Sequence, residues 1–205
     1  MSQEQPTEVG DVRELVWFPD TSALVTLAVH QPLQRAVVAT LAKHRRVLVQ
    51  AVIAELQGLA GTSDQAASWA GIALSQLEWL GSPVGVDDPV GTRLAIDIQE
   101  RIAGARPLLH DMQHYGEAAI IALASRAQTL RPVMLSDDYD ARVAAKHNRI
   151  EPLSVHKLMH VMIKQQKITA VQAAGFADAL HTAHRAYDYS AAELASGHLG
   201  RVGQP

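Results

Sequence analysis

The chain has 205 residues, 48% of them apolar, which is enough for one domain with a proper core and short for two. Its 18 basic and 21 acidic side chains leave a net charge of -3, which argues against a general nucleic-acid binder with a basic surface, and the lack of cysteine excludes disulfides and thiolate metal sites. No basic and apolar leader opens the chain, and no apolar run approaches the roughly 20 residues of a membrane span, so a cytoplasmic protein without membrane contact is expected.

In chain order, residues 1–13 read as a flexible tail and residues 15–19 as a buried strand. Thr21 or Ser22 is the expected cap of a helix to about Val29, and Pro32 opens a second helix to about Lys43. Val47-Leu48-Val49 reads as a short strand, followed by a helix over 51–59 that stops near Gly61. Residues 62–77 read as one helix, 80–86 as a loop or strand, and 88–103 as a helix ended by Gly104 and Pro107. An Ala-rich helix is expected over 115–129, a strand over 133–135, a helix over 139–147 and a last strand over 150–153. Helices over 154–165 and 170–186 finish the ordered chain, and residues 191–205 read as a second flexible tail. Short apolar strands alternating with helices predict an α/β fold, a mostly parallel sheet covered on both faces. The basic clusters, Lys43-His44-Arg45-Arg46 and the set Arg142, Lys146, His147 and Arg149, read as solvated helix ends.

Four acids stand at the edges of apolar segments: Asp20, Glu55, Glu117 and Asp138. Asp20 and Asp138 directly follow strand-like runs, and open α/β sheets place their sites at the carboxyl ends of parallel strands. Glu55 falls beside the apolar stripe of Val52, Leu56 and Leu59, and Glu117 lies in line with Ile120, Ile121 and Ala124. Inward carboxylates need a partner. Each acid also has an ordinary structural role open to it: Asp20 and the group Asp137, Asp138 and Asp140 as helix caps, Glu55 as partner of a buried Arg, Glu117 as a first-turn carboxylate. Brought together, they cannot all ionise cheaply without a cation among them, and oxygen-only ligands point to Mg²⁺ or Mn²⁺. The expected chemistry is phosphodiester hydrolysis.

Four segments carry a resemblance to the PIN-domain nuclease family. They are Val16-Trp17-Phe18-Pro19-Asp20-Thr21-Ser22-Ala23-Leu24, Ala51-Val52-Ile53-Ala54-Glu55-Leu56, Tyr115-Gly116-Glu117 through Ala124, and Met134-Leu135-Ser136-Asp137-Asp138-Tyr139-Asp140-Ala141-Arg142. The resemblance covers about residues 14–153, with helices over 154–190 as an extension of the same domain. It implies a PIN-like Rossmannoid three-layer sandwich and a metal-dependent endoribonuclease. It implies Asp20, Glu55, Glu117 and Asp138 as the metal-site acids, with Asp137 a rival for the last position and Asp140 an outer acid. Ser22 and Ser136 become auxiliary hydroxyls. Glu117 stands where many members have Asp. Many small bacterial members resemble ribonuclease toxins, which implies an RNA substrate and an antitoxin protein as partner.

Other readings stay open: a non-catalytic PIN-like module that binds RNA or protein, or another Mg-dependent phosphohydrolase. The Asp-x-Asp of haloacid-dehalogenase phosphatases is missing, since Thr21 and Ser22 follow Asp20. His156 and His160 share a helix face at zinc-ligand spacing without a Glu between them in the metalloprotease arrangement, and read as surface or interface histidines. His110 and His114 flank the acids and are candidates for phosphate contact. Trp17, Trp69 and Trp79 read as core residues rather than base-stacking platforms. The apolar side chains of 154–186, Leu158, Met159, Met162, Ile163, Ile168, Val171, Phe176 and Leu180, exceed the evident need of one flank and predict a homodimer.

Overall fold

The computed structural model describes residues 14–104, 113–127, 129–185 and 194. The tail expected over 1–13, His110, and all of 191–205 but Leu194 lie outside the described residues.

The chain is an α/β protein with a four-stranded, all-parallel sheet and helices on both faces. The strands are β1 (Glu14–Pro19), β2 (Arg45–Arg46), β3 (Leu130–Leu135) and β4 (Glu151–Leu153), in the spatial order β2-β1-β3-β4. Alternation sorts the side chains of the central pair between two cores. Val16, Phe18 and Met134 face one core, and Trp17, Val133 and Leu135 face the other.

The first core lies under α3 (Gln50–Ala60), α4 (Ala67–Leu74), α5 (Pro89–Ala103), α6 (Tyr115–Arg126) and α7 (Tyr139–His147). The second lies under α2 (Gln31–Leu41), α8 (Val155–Lys164) and α9 (Ala170–Thr182). Helix α1 (Thr21–Val29) serves both, with Leu24 and Val25 in the first core and Ala23 and Leu27 in the second. The sheet order runs outward from β1 to β2 and then returns to β3, so the strand order reverses between β1 and β3. Crevices at such reversals are the usual ligand sites of open parallel sheets.

Several sequence expectations change. Asp20, not Thr21 or Ser22, caps α1: its Oδ1 accepts the N–H of Ala23 at 2.8 Å while its backbone stays extended. The cap post needs an extended residue three positions before the bonded N–H, and the chain turns helical at Thr21. The strand expected at Val47-Leu48-Val49 begins two residues earlier. Arg45 and Arg46 pair with Val16 and Trp17, and the run then leaves β1. Val49 bridges Val84 instead, the Val84 N–H donating to Leu48 O at 2.8 Å and the Gln50 N–H to Val84 O at 2.9 Å. The basic pair Arg45-Arg46 is therefore edge strand rather than helix end.

The single helix expected over 62–77 is shorter. Thr62 Oγ1 accepts the Asp64 N–H and Asp64 Oδ1 accepts the Ala66 N–H, and these local bonds compete with helix until α4 starts at Ala67. A 3₁₀ turn over Leu77–Leu80 follows. Helix α6 ends at Arg126, and β3 starts early because Leu130–Pro132 pair with Glu14–Val16.

The surplus apolar surface behind the homodimer expectation is largely absent. Leu158, Met159, Met162, Ile168, Phe176 and Leu180 are buried in the second core with Trp17, Leu33 and Val37, and Leu194 joins them. Of the eight side chains named, Val171 stands exposed. Trp17 is buried and Trp69 and Trp79 pack against the core, as expected. Among the described residues no helix is long and apolar enough to cross a membrane.

Candidate acidic site

Asp20 leaves the end of β1 and Asp138 follows β3, so both flank the crevice where the strand order reverses. The two strand ends are tied directly, Asp20 N–H to Leu135 O at 3.0 Å. Each aspartate caps the helix after it; Asp138 Oδ1 accepts the Ala141 N–H at 2.9 Å. Capping and site-building are therefore the same placement for these two acids.

Asp20 is fully buried. Ser22 Oγ lies 2.9 and 3.0 Å from its two carboxylate oxygens, and the Ser136 hydroxyl also bonds the carboxylate. Burial nevertheless pushes the Asp20 carboxyl up from 3.8 to about 7, against the hydrogen bonds from Ser136, Ala23 and Ser22, with the charge of Asp137 adding to the rise. Ser22 and Ser136 also shape the turn after β3: Asp137 N–H donates to Ser22 Oγ at 2.8 Å and Asp138 N–H to Ser136 Oγ at 3.1 Å.

Glu55, halfway along α3, reaches across to the start of α6. Its Oε1 accepts the Gly116 N–H at 2.7 Å and its Oε2 accepts the Thr21 hydroxyl. A side chain at 116 would run into that carboxylate, so the glycine makes the contact possible. An anion at a helix N-terminus is also favoured by the helix dipole.

Glu117, in the first turn of α6, is buried, and its Oε2 has no hydrogen-bond partner. Burial first, then the charges of Glu55, Asp20 and Asp138, hold its carboxyl well above the ordinary value. Glu117 thus feels the charges of the other three acids.

Asp137 and Asp140 are placed differently. Asp137 Oδ1 turns to α8 and accepts the Val155 N–H at 2.9 Å. Burial raises its carboxyl, opposed by the Thr26 hydroxyl, that N–H, and the charges of Arg185 and Arg142. Asp138, whose charge Glu117 feels, is therefore the better match for the fourth acid. Asp140 is exposed and lines a separate cavity with Arg101, His147 and Asn148. His156 is buried in α8, and among the described residues no group of three His, Cys, Asp or Glu is spaced to hold a metal ion.

A cavity of about 660 Å³ opens onto Glu55 and Glu117. Glu55, Glu117, Thr21, Ser22, His114 and Arg185 supply its polar lining, and Val25, Ala54 and Leu59 its apolar wall. Asp20 sits behind Ser22 and does not reach the cavity surface. His114 precedes α6 with a left-handed backbone, φ 61°. Three contributors escaped the sequence reading: Thr21 as a partner of Glu55, Gly116 as its cradle, and Arg185. The glycine directly before Glu117 was a legible signal; nothing near Arg185 was.

The donor set fits a hard divalent cation. All four groups are carboxylates, one buried oxygen lacks a partner, and their mutual repulsion would be relieved by positive charge. No three converge on one point among the described residues. Mg²⁺ is commonly held by one or two carboxylates and keeps several waters, so that spacing is compatible with it. Compared with known proteins, the chain matches no family model, and no curated protein or solved structure shows significant similarity to it.

Proposed function

We propose that the chain is a Mg²⁺- or Mn²⁺-dependent endoribonuclease of the PIN type, with Asp20, Glu55, Glu117 and Asp138 as its acids. The observation that carries the reading is Glu117: a buried carboxylate with an unpartnered oxygen, facing a cavity and surrounded by three further acids. A purely structural glutamate would be expected to have that oxygen bonded. Glu55 and Glu117, which line the cavity, would hold the cation, and Asp20 and Asp138 would complete the negative field behind them. Such an ion supplies charge neutralisation at the phosphodiester and activates water for in-line attack. The chain's own part is to fix the carboxylates: Ser22 and Ser136 orient Asp20, while Thr21 and Gly116 hold Glu55. A role as toxin with an antitoxin partner rests on the resemblance of the four segments alone.

Cleavage of single-stranded RNA with Mn²⁺, compared between wild type and Asp20→Asn, tests the reading. Asn caps helices as well as Asp does, so the fold is expected to persist while cleavage is lost. Equal rates in the two proteins would sink the assignment. The non-catalytic alternative is favoured by one observation, the lack of three converging ligands among the described residues. RNA binding by wild type without any metal-dependent cleavage would decide for it.

A further inference from the structure

Helix α9 ends at Thr182, and the chain then reverses in a tight turn. His184 takes a left-handed backbone, φ 54°, while its N–H bonds His181 O and the Arg185 N–H bonds Leu180 O. This pair of bonds is the Schellman closure of a helix end. It aims Arg185 back over α1. There Nε donates to Thr26 Oγ1 and Nη2 to Ser22 O, both at 3.2 Å. The guanidinium is thereby held at the cavity whose other walls carry Glu55 and Glu117.

Both acceptors are neutral oxygens, and the buried Asp137 carboxylate, which the Thr26 hydroxyl also bonds, feels the charge of Arg185. A guanidinium has five N–H donors, and two are engaged here. A tether between α9 and α1 that also serves Asp137 uses these two donors and leaves the rest of the fork for the cavity it lines. A phosphodiester entering that cavity needs a cation, because it meets carboxylates first and is repelled by them. A fork already fixed by two bonds also loses little freedom when it takes an anion.

We propose that Arg185 binds a backbone phosphate of a single-stranded RNA substrate, so that the C-terminal extension supplies a substrate-binding residue to the acidic site. The proposal rests on the ribonuclease reading. It makes the helices after β4 part of the site rather than cover for the sheet.

The test measures binding of a short, labelled single-stranded RNA by fluorescence anisotropy in Ca²⁺, over about 50 to 200 mM salt, for wild type, Arg185→Gln and Arg185→Lys. Losing one charged contact weakens binding about tenfold in Arg185→Gln. The slope of log affinity against log salt becomes shallower by about 0.7, the value for one phosphate of a single strand. Arg185→Lys keeps most of the slope and loses part of the affinity. Melting curves accompany each variant. A slope equal to wild type in Arg185→Gln overturns the proposal, whether or not the melting temperature falls, because a tether carries no salt dependence of RNA binding. Absence of RNA binding by wild type overturns the ribonuclease reading and the proposal with it. Loss of slope in Arg185→Gln, in a protein that never cleaves, upholds the phosphate contact and removes only the nuclease reading.

Discussion

The carboxylate of Glu55 rests on the backbone N–H of Gly116, 2.7 Å away across 61 residues of sequence, and the missing side chain of Gly116 is what lets it approach. The contact locks α3 to the start of α6, one residue before Glu117. It ties the positions of two site acids to one glycine.

Gly116→Ala is therefore expected to displace the Glu55 carboxylate and to lower metal-dependent cleavage by about tenfold or more, with little loss of stability, because the added methyl meets only the movable end of the Glu55 side chain. Gly175→Ala in α9 is the control, since an added methyl there meets nothing within 4 Å. It is expected to stabilise by about 0.4–1 kcal/mol. Melting curves and Mn²⁺-dependent cleavage of both variants check the pair. Wild-type cleavage in Gly116→Ala would show that the Glu55 position does not matter.

Glu117→Gln removes a carboxyl held high first by burial and then by the charges of Glu55, Asp20 and Asp138. Without metal, and at a pH above neutrality, the variant is expected to melt higher than wild type by a few degrees, about 2–4 °C per kcal/mol for a chain of this size. With Mn²⁺ it is expected to lose most of the stabilisation that wild type gains. A metal-induced shift equal to that of wild type would take Glu117 out of the site.

The apparent stability of the metal-free protein follows the same carboxyls. Asp20 is raised from 3.8 to about 7 and Glu117 is raised as well, so both bind protons more tightly folded than unfolded. Their contribution is fully present below the unfolded value and is lost as pH rises through the folded one. Between about pH 4 and pH 7, the span from the unfolded to the folded value of Asp20, the metal-free protein is expected to lose melting temperature, and Mn²⁺ to restore most of it at the upper end. Asp20→Asn flattens the metal-free profile. A metal-free profile that rises steadily over this range would contradict the burial of Asp20.

Three helix ends close with the same turn and no glycine. Arg149, Gln166 and His184 have φ of 61°, 55° and 54°, each followed by an N–H bonded five residues back. A residue with a Cβ in this region is strained by roughly 1–2 kcal/mol, and glycine is not. Gln166→Gly is expected to raise stability by up to about 1 kcal/mol, the strain relief being offset by glycine's larger unfolded-state entropy. Chemical denaturation gives the difference directly; a clear loss would mean that the Gln166 side chain holds the turn in another way.

The order of strands and helices was readable from local pattern because apolar runs and helical stripes are properties of neighbouring residues. Glu55 beside Val52 and Leu56, and Glu117 in line with Ile120 and Ile121, announced inward carboxylates before any contact was known. The boundaries that shifted did so through long-range pairing: Arg45 and Arg46 were drawn into β2 by Val16 and Trp17, and β3 was lengthened by Glu14 and Leu15. The three helix-closing turns were hidden because their left-handed residues are not glycines.

Sequence alone determined an α/β chain with an aspartate after each of two strands, since apolar runs followed by Asp and a helix are local patterns; which residue caps the first helix was decided by the backbone, extended at Asp20 and helical from Thr21. Only the tertiary structure decided which acids share a cavity. It turned Asp137 toward Val155, set Asp140 against His147 in another cavity, and brought Glu55, Gly116, Glu117 and Arg185 together. The reason is geometric. Periodicity says which face of a helix is buried, but the meeting of side chains from different helices depends on how those helices pack across the sheet.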